Sequence, residues 1–113
     1  MPHYTIFETD KFLSDVEEAA VWILESNFDY SEDLAFRKLE ELQIELETLK
    51  IRLQSYPETG EIDFIKGVRK FPVYDGRYSL KWIIQNTEKT VTLIALTDSR
   101  YPKNIRHIQV DEF

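Results

Sequence analysis

The stretch Val68-Arg69-Lys70-Phe71-Pro72-Val73-Tyr74-Asp75-Gly76-Arg77-Tyr78-Ser79-Leu80-Lys81-Trp82-Ile83-Ile84 decides the fold. Its apolar residues recur with a period of two, as in strands that bury one face. Asp75-Gly76 between the two runs is a hairpin signal, because a type I′ turn needs positive φ at both central residues. A two-residue turn there sets Tyr74 opposite Arg77, Val73 opposite Tyr78, Phe71 opposite Leu80 and Lys70 opposite Lys81. Phe71, Val73, Tyr78, Leu80, Trp82 and Ile84 then face a core, while Lys70, Tyr74, Arg77 and Lys81 face away from it. Pro72 has no donor for a ladder bond and suits an edge strand.

Downstream, Thr87-Glu88-Lys89 turns the chain into Thr90 to Thr97, a strand rich in β-branched residues. Carrying the register across that turn predicts Trp82 opposite Leu93, Lys81 beside Ile94 and Arg77 beside Asp98. It also places Ile83, Ile94 and Leu96 on the outer face with the cations. On this facing, Trp82→Ala should nearly unfold the protein, and Lys81→Ala should leave its melting temperature almost unchanged.

Upstream the period changes to that of helices. Ala35, Leu39, Leu42, Leu46, Leu49 and Leu53 make one stripe, opened by Ser31 with Glu32 and Asp33 behind it and closed by Pro57 and Gly60. The stripe spans little more than two heptads, so packing against a sheet explains it better than a coiled coil. Phe12, Val16, Ala19 and Ile23 make an earlier stripe, capped by Thr9 or Asp10, or by Ser14 through a Ser-x-x-Glu capping box. Before it, Tyr4-Thr5-Ile6-Phe7-Glu8 reads as a strand. The order strand, helix, helix, three-strand meander predicts one α+β domain over 1–113, with an antiparallel helix hairpin on one face of a largely antiparallel sheet.

Composition narrows the chemistry. With 113 residues, 42% hydrophobic, and no cysteine, the chain can build a core but cannot use disulfides, Cys-ligated metals or a thiol nucleophile. No apolar run reaches the ~20 residues of a membrane span, and the first residues do not read as a signal peptide, so a cytoplasmic location is the expectation. The formal net charge of −7 is divided unevenly. Residues 1–50 carry 4 Lys/Arg against 13 Asp/Glu, whereas residues 64–107 carry 9 against 3. That polarity either steers an anionic partner to one side or reflects two ordinary solvated faces.

Opposed Lys70 and Lys81 cost the ladder up to about 1 kcal/mol. Either an anionic partner visits that face or the two side chains splay into water. Ile83, Ile94 and Leu96, rimmed by Lys and Arg, form an apolar strip suited to a protein partner, unless the tail covers it through Ile105, Ile108 and Val110. The partner-binding candidates are therefore Lys70, Tyr74, Arg77, Lys81, Ile94 and Leu96. Phosphodiester cleavage would need an acid, a base and cations, for which the candidates are Arg77, Lys81, Arg100, Tyr101 and His107. A lone tail histidine is ordinarily surface decoration, and an Arg77–Asp98 pair would be an ordinary surface bridge. No phosphate-binding glycine loop, nucleophile elbow or metal-spaced His pair is present, so neither metal nor cofactor is expected.

The chain resembles the RelE/ParE superfamily of type II toxins. The resemblance covers most of the sequence. It rests on the element order, on Arg69-Lys70-Phe71-Pro72-Val73 leading through Gly76 into Tyr78-Ser79-Leu80-Lys81-Trp82, and on Thr97-Asp98-Ser99-Arg100-Tyr101-Pro102-Lys103-Asn104-Ile105. It implies a plasmid stabilisation-like toxin held inactive by a small antitoxin. RelE-like members cut mRNA on the ribosome with Lys, Arg and Tyr side chains, whereas ParE-like members poison DNA gyrase without known catalytic residues. The ribonuclease pattern has Arg second in a Tyr-Arg-Leu core, where this chain has Ser79. Arg77, on the same face about 7 Å away, is the available substitute. The resemblance therefore favours a ParE-like toxin acting by binding, with a ribosome-dependent endoribonuclease as the alternative.

Overall fold

The computed structural model describes residues 3–100. The chain runs β1 (Thr5–Glu8), α1 (Asp10–Phe28), α2 (Glu32–Ser55), β2 (Glu61–Ile62), β3 (Val68–Val73), β4 (Tyr78–Gln85) and β5 (Thr90–Asp98). The five strands form one sheet in the order β1-β5-β4-β3-β2. β1 lies parallel to β5, and the other neighbours are antiparallel.

Both helices begin where a side chain can serve the first turn's free N–H groups. Thr9 Oγ1 accepts the N–H of Phe12 at 3.1 Å, so α1 starts at Asp10 and not at the later Ser14. Ser31 Oγ accepts the N–H of Leu34 at 3.2 Å and restarts the helix after a three-residue link. Ala35, Leu42, Leu46, Leu49 and Leu53 are buried along α2, with Leu39 half-buried beside them. Leu42, Leu46, Leu49 and Leu53 join Phe12, Ala19 and Ile23 of α1 and Val73, Tyr78, Leu80, Trp82, Val91, Leu93 and Leu96 of the sheet in one core, with Leu39 packed against it.

The β3–β4 hairpin has the predicted register, with Val73↔Tyr78, Phe71↔Leu80 and Lys70↔Lys81. Asp75 and Gly76 adopt φ of 55° and 79°, as the turn type requires. Tyr74 is also left-handed, at φ 54°, which swings its N–H out of the ladder and onto the Glu45 carboxylate of α2 at 3.1 Å.

β5 departs from the predicted register. Trp82 does face Leu93, but a bulge follows, and Lys81 pairs with Ala95, not Ile94. One inserted residue reverses the facing of everything after it. Leu96, predicted on the outer face, turns inward and is 4% exposed in the core. Asp98 comes opposite Tyr78, so the predicted Arg77–Asp98 pairing is not made. β1 ends opposite Leu93, and beyond it α1 serves the free edge of β5. Thr9 donates its hydroxyl to Leu93 O at 2.9 Å, and Asp15 accepts the N–H of Leu96 at 3.0 Å.

The segment from Tyr56 to Gly67 wraps the β3 edge of the sheet and contains β2, which was too short to leave a periodic signal. On the core side, Trp82 Nε1 donates to Pro57 O at 2.9 Å. Gly60, at φ 85°, lies so close that a Cβ would come within 2.3 Å of Lys70 O. Only glycine fits there. On the outer side the same segment delivers Asp63 to the sheet.

Candidate functional site

Lys70 and Lys81 are opposed across the β3–β4 ladder, and the anion that relieves them belongs to this chain. Asp63 lies 3.7 Å from Lys70 Nζ and 3.4 Å from Lys81 Nζ. Its side chain is 1% exposed, and that of Lys81 is 7% exposed. Phe64, adjacent in sequence, places its ring 5.4 Å from the Lys81 ammonium. Burial lowers the Lys81 pKa from its ordinary 10.5, against the upward pull of Asp63. Lys81 was predicted on an open basic face. Its facing is as predicted, but the wrapping segment has sealed it, so its truncation cannot be silent.

A second cluster stands at the hairpin end of the sheet. The Arg77 guanidinium carbon is 4.4 Å from the centre of the Trp22 ring, and that of Arg100 is 4.0 Å from the same ring. Trp22 also meets the edge of Tyr78, centroid to centroid 6.5 Å. Arg100 forms a two-pronged ion pair with Asp98 and donates its backbone N–H to the same carboxylate at 2.9 Å. Burial alone would raise the Asp98 pKa, but these hydrogen bonds and the charges of Arg100 and Arg77 hold it below its ordinary 3.8. Arg77 is bound differently. Its main chain is engaged by Ser99 N–H and Tyr74 O, yet among the described residues its guanidinium has the indole face and no carboxylate within ion-pair distance.

Burial raises the pKa of both Tyr74 and Tyr78 above the ordinary 10.0. At neutral pH these phenols can donate hydrogen bonds but cannot act as phenolate bases. Of the predicted site residues, then, Arg77 and Arg100 come together on Trp22, while Lys70 and Lys81 come together on Asp63. The triad Arg77, Lys81 and Arg100 does not gather at one point. Ile94 is half-buried at the bulge, and Leu96 has left the surface. Tyr101, His107 and the tail residues Ile105, Ile108 and Val110 lie outside the described residues. Among the described residues no group of three or more His, Asp or Glu is placed to hold a metal ion.

Two residues that organise these clusters were not singled out in the sequence. Asp63 stands alone in a loop, and only a long-range contact gives it meaning. Trp22 had a usable signal: it lies beside the Phe12–Ala19–Ile23 stripe, at the edge of the core, where a large aromatic is only partly covered by the core and leaves a face for other side chains.

The arrangement defines an α+β protein with a helix hairpin on one face of a five-stranded, mostly antiparallel open sheet. A solved chain of the chromosomal ParDE TA system from P. aeruginosa has this fold, with a TM-score of 0.63 at 15% identity. The match covers 87% of this chain and 98% of that one, so the expected α+β architecture is the observed one and is shared with that ParDE chain. No protein-family model and no curated protein matches the sequence. Among the described residues no helix is long and apolar enough to cross a membrane.

Proposed function

We propose that this chain is the toxin of a type II toxin–antitoxin pair, ParE-like in that it acts by binding a protein target and is neutralised by a small antitoxin. The observation that carries the reading is the fold shared with the ParDE chain over 98% of that chain's length. The disposition of cations supports the binding mode over the ribonuclease mode. A ribonuclease site would focus several cations and a proton-transfer group on one scissile phosphate. Here Lys81 is held on Asp63, apart from the Arg77–Trp22–Arg100 cluster, and Tyr74 and Tyr78 remain neutral.

Induced expression in a bacterial host tests this reading. Growth should arrest, and co-expression of a short protein encoded beside the gene should relieve the arrest. Purified chain should then inhibit gyrase supercoiling and leave ribosome-bound mRNA intact. Position-specific mRNA cleavage would replace the ParE-like reading with the RelE-like one, and unimpaired growth would remove both.

A further inference from the structure

We propose that Arg77, laid on the face of Trp22, is a carboxylate-binding site that takes an acidic side chain from a protein partner. The inference deepens the reading above and rests on it for the partner being a protein. Arg77 is half-buried, its guanidinium carbon 4.4 Å from the centre of the indole ring, so its planar fork is oriented before any ligand arrives. The neighbouring Arg100 is matched to Asp98, which leaves Arg77 as the cation of the cluster without a carboxylate among the described residues. A stacked, pre-oriented guanidinium suits bidentate recognition of a carboxylate.

The surroundings decide between a carboxylate and a nucleic acid. Trp22 borders a shallow depression of α1 lined by Ser14, Glu17, Glu18, Val21 and Glu25. A polynucleotide carries a phosphate on every nucleotide, one per strand for about every 3.4 Å of duplex axis. A strand seated on Arg77 would therefore push its next phosphates against three glutamates. A protein segment can instead alternate its chemistry, with an acid on Arg77, an apolar side chain on Val21, which is 52% exposed, and a base on Glu18 or Glu25. Charge complementarity selects an amphipathic, mixed-charge segment as the occupant.

The test uses the full chain and three probes: an amidated ten-residue helical peptide bearing one Glu, two Leu and one Lys, its Glu→Gln counterpart, and a six-nucleotide single-stranded RNA. Trp22 emission and the Arg77 Nε–Hε resonance report binding, whereas Trp82 is sealed in the core at 0% exposure and stays silent. The Glu peptide should shift both signals saturably. The Gln peptide, and separately Arg77→Gln, should weaken binding about tenfold or more, the scale of a lost charge-assisted hydrogen bond. Equal binding of the two peptides, unchanged binding to Arg77→Gln, tighter binding of the RNA, or no binding of the Glu peptide would each overturn the proposal. Growth arrest is read separately. Arrest without peptide binding removes this inference alone, and peptide binding without arrest removes the toxin reading alone.

Discussion

The ammonium of Lys81 lies 3.4 Å from the carboxylate of Asp63, and both groups are almost wholly withdrawn from solvent. Taking two charges out of water is costly, and their attraction offsets that cost only while both are present. Lys70, 3.7 Å from the other oxygen, adds a second positive charge to the same carboxylate. The pair therefore ties a loop to two strands.

Removing either member should destabilise the fold unequally. Losing one partner of a buried pair ordinarily costs about 3–5 kcal/mol. Lys81→Ala should fall below that range, because Lys70 remains to accompany Asp63. Asp63→Ala should cost more, since it leaves two lysines opposed with no anion between them. Urea denaturation of the two variants checks the order, and Lys81→Ala with wild-type stability would contradict the burial described here.

Trp82→Ala should remove about 3–5 kcal/mol, a large share of the 5–15 kcal/mol typical of a domain. The ring is 0% exposed, and its Nε1–H holds Pro57 O at 2.9 Å. Trp82→Phe should cost less, by keeping most of the packing while orphaning the Pro57 carbonyl. Thermal unfolding followed by far-UV circular dichroism separates the two.

Asp15→Ala should cost about 1–3 kcal/mol by leaving the Leu96 N–H, part-buried at the edge of β5, without its acceptor. Asp15→Asn should recover part of this, because its amide oxygen can still accept. Hydrogen exchange at Leu96 is the direct readout, and it should speed up in Asp15→Ala more than exchange at Leu93.

Asp98 predicts an acid-side signature. Its folded pKa lies below the ordinary 3.8, so the unfolded chain takes up the proton first. Its stabilising contribution is complete above pH 3.8 and disappears as pH falls through the lower folded value. Asp98→Asn lacks this dependence. The stability gap between wild type and Asp98→Asn should therefore narrow below pH 3.8, measured by urea titration at several pH values.

The elements written in local periodicity were legible. The α2 stripe, the Ser31 restart, the Asp75-Gly76 turn and the Trp82–Leu93 pairing all follow from spacing and turn chemistry within a few residues. What was not legible depends on distant partners. Ile94 looks like any strand residue, and the bulge there has support from α1, through Asp15 and Thr9, some eighty residues earlier. Lys81 reads as an outward lysine because nothing local announces that Asp63 and Phe64 will cover it. Arg77 was recognised as a candidate, but its setting on Trp22 joins a hairpin to the flank of a helix that the apolar stripe does not describe.

The parallel pairing of β1 with β5 has a consequence for how the protein comes into being. Thr5 pairs with Thr90 and Glu8 with Leu93, so β1, made before every other described strand, has its place beside β5, made after them. Until β5 has emerged, β1 has no neighbour in the sheet, and α1 lacks the strand edge that Thr9 and Asp15 serve. A nascent chain can form its helices early, but closure of the sheet is deferred until β5 has been made. Messages truncated before the codon for Thr90 thus yield chains with an unpaired first strand and an incomplete sheet. Synthesis through Asp98 is a condition for any surface that depends on the finished sheet.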